Sequence, residues 1–244
     1  MNNSQILYVT DPLCLWCYGM APDLEDFYVS LPSDIECITI NGGLFPANKA
    51  RIADKFFRDY LKKAAVQVTE YTGQIFGDPF WKLLETPGFR YDTEPSAKAS
   101  VAVKKLKDDA SMRAFIHQLQ NAVFIEGKNP NEENILADIA ELQGVDRKDF
   151  LLAFNSSDNN QETHNEYKQA LEMGVKGFPA LIYIHEEKGY GLAAGYSPKS
   201  QLFDTLNWAR SQAGQKPIAI AEKAIVDTEI NDVPSCSANG CTAL

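Results

Sequence analysis

Hydrophobic residues in this chain follow three rhythms in succession, and their order leaves few folds open. Ile6 to Thr10 is a short continuous apolar run, the pattern of a buried strand. Leu15 to about Ser30 has helical spacing, with Pro22 expected to kink or fray it. Ile35 to Ile40 alternates as a second strand and is closed by Asn41-Gly42-Gly43. The next 130 or so residues, about Leu44 to Gly174, read as helix throughout, with no convincing strand. Strand patterning returns at Ala180 to Ile184 and, after the polar turn Glu186 to Gly189, at Tyr190 to Ala194. A last helix starts near Pro198 and ends at Gly214. The order βαβ, helical block, ββα describes one α/β core interrupted by an insertion.

Within the helical block the expected segments are Arg51 to Lys63, Ser96 to Leu106, Met112 to Ile125 capped by Ser111, and a helix capped by Asn131 that runs through Leu142 and ends at Gly144. A short helix capped by Asp146 and another from about Asn160 to Met173 complete it. The domain plan is therefore a discontinuous core (1–44 with 174–214), an insertion (45–173), and an extension (215–244).

Two thiols, Cys14 and Cys17, lie where the first strand turns into the first helix. Unpaired N–H groups and the positive dipole end of a helix favour thiolate over thiol, so this position suits a nucleophilic Cys14. Cys17, one turn further in, is placed to close a disulfide and expel a bound partner. Trp16 between them is expected to offer apolar surface to peptide-like substrates. CxxC also serves zinc sites, but here it opens a helix within a βαβ pattern.

Phe178-Pro179 enters a buried strand, where proline cannot donate to the ladder. A cis peptide with a tight bend toward another site resolves this. Cys236 and Cys241 sit in a polar tail around Asn239-Gly240, a spacing that permits a turn and disulfide closure. Cys37 falls in the second strand and reads as a packed strand residue. His117, His164 and His185 form no ligand pattern.

The residues Asp11-Pro12-x-Cys14-x-Trp16-Cys17-Tyr18-Gly19, Gly42-Gly43-Leu44, Gly174-Val175-x-Gly177-Phe178-Pro179 and Gly195-Tyr196 together resemble the DsbA class of thioredoxin-fold thiol–disulfide oxidoreductases, most of all the cytoplasmic FrnE-like branch. The resemblance implies a thioredoxin-like fold with a large helical insertion. It carries over Cys14 as an exposed nucleophile of lowered pKa, Cys17 as resolving thiol, and Phe178 and Pro179 as a substrate-binding loop. It also implies an auxiliary redox pair at Cys236 and Cys241, with a structural clip or metal ligation as the alternatives. Relatives often carry proline or serine at position 15, where this chain has Leu15, so oxidase, reductase and isomerase directions stay open.

The redox-active disulfide serves as its own cofactor. Expected partners are protein or peptide thiols and disulfides, with glutathione or a thioredoxin-type reductant as electron source. The balance of 23 basic and 33 acidic residues, net −10, disfavours nucleic acid and anionic membrane. No apolar run spans a bilayer and the start lacks a basic leader, so a cytoplasmic protein is expected. Two rivals stand: a glutathione-dependent isomerase or kappa-like transferase, which generally lacks the second thiol, and a zinc module built on Cys14, Cys17, Cys236 and Cys241.

Overall fold

The computed structural model describes residues 4–218 and the backbone of 236–237 and 240–241. Strand β1 (Ser4–Thr10) is apolar on both faces because it lies inside a four-stranded sheet. Its neighbours are β2 (Ile35–Asn41), parallel to it, and β5 (Ala180–His185), antiparallel; β6 (Lys188–Ala194) closes the far edge against β5. The register sets Thr10 beside Asn41 and Val9 beside Ala180. The end of β1, the end of β2 and the start of β5 therefore share one end of the sheet, and the cysteine pair opens there.

Helix α1 (Leu15–Val29) runs through Pro22 and packs on the closing helix, α9 (Lys199–Gln212), where the Phe27 and Phe203 rings meet edge-on at 4.8 Å. Between β2 and β5 come α2 (Lys55–Thr72), α3 (Asp78–Leu84), α4 (Glu94–Leu106), α5 (Asp109–Phe124), α6 (Glu133–Leu142), α7 (Arg147–Phe154) and α8 (Ser157–Glu172). This block is tied to the sheet at β2 through polar groups. The Asp109 carboxylate accepts the Thr39 N–H at 2.7 Å, and the buried Glu166 carboxylate accepts both the backbone N–H and the side-chain amide of Asn41. Lys104 bridges them, donating to the Thr39 carbonyl at 2.8 Å and lying 3.4–3.5 Å from both carboxylates.

Several sequence expectations for the block need correction. Arg51–Ile52 is a strand, β3, paired with β4 (Arg90–Tyr91), because Asp54 caps α2 by accepting the Phe57 N–H and so delays the helix. Asp108, not Ser111, caps α5: Ser111 supplies the N–H that the Asp108 carboxylate accepts. Asn131 caps nothing; its amide donates to the Arg90 carbonyl, and α6 begins at Glu133. Helix α3 falls where the pattern predicts no element, and α8 starts earlier than expected, at a Ser156 cap. In the extension, Gln215 to Ile218 are described, and beyond them only the ribbon β7 (Cys236–Ser237) and β8 (Gly240–Cys241), which places Cys236 opposite Cys241.

Candidate active site

Cys14 is the N-cap of α1. Its backbone is extended (φ −78°, ψ 120°), and its sulfur takes the role an oxygen has in a serine cap, accepting the Cys17 N–H at 3.3 Å. On its other side the Cys14 thiol donates to the Phe178 carbonyl at 3.6 Å. The Phe178–Pro179 peptide is cis, and the Pro179 carbonyl accepts the Gly195 N–H at 2.8 Å, which ties the loop to the residue before Tyr196. Cys14, Cys17, Phe178 and Pro179 thus meet at one end of the sheet although about 160 residues separate the two segments.

Two expectations about this site fail for the same reason, burial. Cys14 is not exposed: its relative exposure is 0% and that of Cys17 is 1%. Loss of solvent raises the Cys14 thiol well above its ordinary pKa; the adjacent Cys17 thiol raises it further, the Cys17 N–H opposes, and Asp11 adds to the rise. A helix N-terminus lowers a thiol's pKa only in part, and in this closed form burial wins. Trp16, put forward as a substrate surface, is likewise 0% exposed. It packs edge-on against Tyr71 at 5.9 Å and against Tyr196 at 6.2 Å, so it is a core residue beneath the site.

Three further residues shape the site. Asp11 is fully buried; its two carboxylate oxygens accept the Leu13 N–H at 3.0 Å and the Leu44 N–H at 2.7 Å, which holds the turn before Cys14 against the turn after β2. Burial raises its carboxyl to about 6 against the pull of those amides. Tyr91 braces the same turn, its hydroxyl donating to the Leu13 carbonyl at 2.6 Å. Gly42, which the pattern suggested was only a turn residue, is the seat of Phe178: a Cβ there would lie 1.9 Å from the Phe178 ring. Gly43 next to it has φ +71° and faces the Tyr167 ring. A glycine pair ending a strand was the available signal, but only the fold shows which ring occupies the space.

Cys37 lies half-buried on β2, its thiol raised to about 11 by burial against the pull of Arg113. His164 is exposed near Glu94, and His185 is buried at a strand end, 3.1 Å from the Ser4 hydroxyl. His117 lines a crevice that reaches Cys17. The side chains of Cys236 and Cys241 lie outside the described residues.

Comparison with known proteins sets this geometry in context. A thioredoxin family model matches residues 7–199. The ClpXP adapter protein SpxH of Bacillus subtilis is 23% identical over 197 residues, covering 79% of this chain but only 63% of SpxH, less than two thirds of that relative's length. A Nitrosomonas europaea protein whose disulfide isomerase assignment is provisional aligns with a TM-score of 0.76 at 24% identity, over 86% of this chain and 98% of that one. The cytosolic disulfide reductase DsbM of Pseudomonas aeruginosa aligns at 0.69 and 23% identity with the same coverage, and its structure with glutathione at 0.68. These likenesses establish the architecture: a thioredoxin-like sheet with a helical insertion.

Proposed function

This chain belongs to the thioredoxin family, and we propose that within it the chain is a thiol–disulfide oxidoreductase. The observation that carries this reading is the Cys14 sulfur held between the Cys17 N–H and the Phe178 carbonyl at a helix N-terminus. Cys14 loses its proton and attacks one sulfur of a substrate disulfide. A Cys14–substrate disulfide forms and the other substrate sulfur leaves as a thiolate. Cys17 then attacks the Cys14 sulfur, the substrate's second sulfur leaves, and both substrate thiolates take up protons. The pair ends oxidised and the substrate reduced by two electrons. Run backwards, the same steps oxidise a dithiol; isomerisation, with no net electron transfer, follows when another substrate thiolate instead of Cys17 attacks the mixed disulfide and releases Cys14 as thiolate.

Substrates in this reading are protein or peptide disulfides that lie along the Phe178–Pro179 loop, with glutathione as the small thiol that restores the pair. The DsbM structure with glutathione supports that choice, and the name of DsbM supports a cytoplasmic site of action. No described helix is long and apolar enough to cross a membrane. The spacing of Cys236 and Cys241 supports the FrnE-like branch. Their facing register in an antiparallel ribbon implies a Cα separation of about 4.5–5.5 Å, within disulfide range, and so supports an auxiliary redox pair. The four-thiolate zinc alternative needs those same two side chains, which lie outside the described residues.

The test is insulin reduction by wild type, Cys14→Ser and Cys17→Ser. We expect Cys14→Ser to be inactive and Cys17→Ser to accumulate a mixed disulfide with glutathione, seen by intact mass. Full activity of Cys14→Ser refutes the reading. The SpxH match supports a second reading, an adapter that presents a protein partner. An adapter holds its partner equally well in a Cys14→Ser/Cys17→Ser chain, whereas a redox enzyme loses all turnover there.

A further inference from the structure

The second chemical step needs Cys17 as a thiolate, yet Cys17 is 1% exposed and the substrate side of the site is closed over Cys14. Asp11 holds the Leu13 and Leu44 N–H groups and does not line the crevice that reaches Cys17. Behind Cys17 the packing is incomplete. A crevice of about 20 Å³ reaches it between α1, β1 and α5; its polar lining is Tyr8, Cys17, Glu25, Arg113, His117 and Gln120, set among apolar side chains. That volume admits a single water. The inner wall is the Tyr8 phenol and the Cys17 thiol, and burial with the nearby Cys17 charge raises the phenol's pKa, so Tyr8 stays a neutral hydrogen-bonding group. The outer wall is exposed Glu25 with half-buried Arg113 and His117.

We propose that this crevice is the proton exit of the resolving thiol, with His117 the proton-accepting residue and one solvent water between its imidazole and Cys17. This rests on the oxidoreductase reading above. In the step, the Cys17 S–H proton passes to the water as the water gives a proton to His117. The Cys17 electron pair forms the bond to the Cys14 sulfur, and the Cys14–substrate bond breaks onto the departing sulfur. Imidazole is the side chain that exchanges protons near neutral pH. Glu25, which lines the same crevice, is the carboxylate available to offset the imidazolium that forms. Arg113 opposes it, but its guanidinium is engaged 4.7 Å over the Tyr28 ring and with the Cys37 carbonyl at 3.4 Å. Tyr8 and Gln120 hold the water and carry no charge.

An equimolar aromatic disulfide that releases a coloured thiol at each step separates the two attacks in stopped flow. The chain carries Cys37→Ser, Cys236→Ser and Cys241→Ser so that only the pair reports. His117→Gln should slow the second release about tenfold at neutral pH, the low end of general-base effects, with the first release within about twofold of wild type. The deficit should shrink as the pH rises and hydroxide takes over as the base, and free imidazole should restore the rate in His117→Ala. A second release unchanged in His117→Gln, or both releases slowed alike without rescue, overturns the proposal. Should the His117 variants lose their fold, exposed Glu25→Gln decides: the midpoint of the second-release pH profile should fall, since the crevice loses its one carboxylate, and an unmoved midpoint overturns the idea. Absence of any first release in wild type refutes the oxidoreductase reading itself.

Discussion

Adding one methyl group at Gly42 tests how the site is closed. Gly42 follows β2, its N–H donates to the Thr10 carbonyl at 2.7 Å, and its φ is not positive, so alanine there brings no backbone strain. The whole penalty is steric. The new Cβ would lie 1.9 Å from Phe178 Cε1, 2.1 Å from Cζ and 2.9 Å from Cδ1. Ordinary carbon contact starts at about 3.5 Å, so the ring must retreat by about 1.6 Å. Phe178 is 6% exposed and has little room to move. Overpacking of this kind costs about 1–3 kcal/mol. A loss of about 2 kcal/mol with a urea slope of about 2–3 kcal/mol/M lowers the unfolding midpoint by roughly 0.7–1 M. The ring and the carbonyl that holds the Cys14 thiol belong to one residue, so the retreat also uncovers the sulfur. Gly42→Ala should therefore be less stable and more rapidly alkylated at Cys14 by iodoacetamide at neutral pH. Phe178→Ala removes the obstacle, and adding Gly42→Ala to it should cost almost nothing, which gives a coupling of about 2 kcal/mol in a double-mutant cycle. Equal cost of the alanine with and without the Phe178 ring would refute the reasoning.

Three other perturbations follow from the same geometry. Asp11 has its carboxyl raised from 3.8 to about 6 by burial. The stability held by its neutral form is complete below about pH 4 and lost as the pH rises through about 6. Relative to wild type, Asp11→Asn should gain about 3 kcal/mol between about pH 4 and 7, whatever its constant offset from the amides, and a flat difference in urea-unfolding curves contradicts this. Lys104→Met strips the cation from the buried Glu166 carboxylate, whose pKa burial already raises. Breaking a fully buried pair costs about 3–5 kcal/mol, less here because Lys104 is partly exposed, and the cost should shrink as the pH falls and Glu166 protonates. Trp16→Phe should lower Tm while leaving the KM for a peptide disulfide unchanged, because the indole touches Tyr71 and Tyr196.

Much of this arrangement was legible from residue types alone. A strand, two thiols and a helix in that order specify the N-cap sulfur, and a proline entering an apolar strand specifies the cis loop that meets it. Local patterns carry such features because they depend on backbone dihedrals and on N–H groups within a turn of the residue. What escaped is tertiary. Trp16 reads as exposed until Tyr71 and Tyr196, 55 and 180 residues away, close over it. Gly42 reads as a turn until Phe178 fills the missing Cβ. The β3–β4 ribbon joins two residues on each side across nearly forty positions, too short a pattern to register. The caps of α5 and α6 were misplaced for a different reason: Asp108, Ser111 and Asn131 are all acceptable cap residues, and side-chain direction decides among them.

The acidity of Cys14 brings these strands together. The helix N-terminus offers one N–H to the sulfur at 3.3 Å, which favours the thiolate, while burial and a donated hydrogen bond to the Phe178 carbonyl favour the thiol. In the closed site the second set prevails. A peptide laid along the loop, as the proposed function requires, brings its own backbone N–H to that carbonyl. The neutral thiol then loses its acceptor, while the thiolate keeps the Cys17 N–H. A hydrogen bond of net worth about 1 kcal/mol moved from thiol to substrate lowers the Cys14 pKa by just under one unit. Under the proposed function, binding would thus turn on the nucleophile and leave the unoccupied thiol protected from stray alkylation and oxidation. A substrate-like peptide with serine in place of both cysteines isolates the effect, since it binds and cannot react. It should speed iodoacetamide labelling of Cys14 several-fold at neutral pH when the agent has equal access. The enhancement should fade at high pH, where the thiol is already ionised. Labelling that slows at every pH means the peptide merely shields the sulfur, and the coupling between occupancy and acidity is absent.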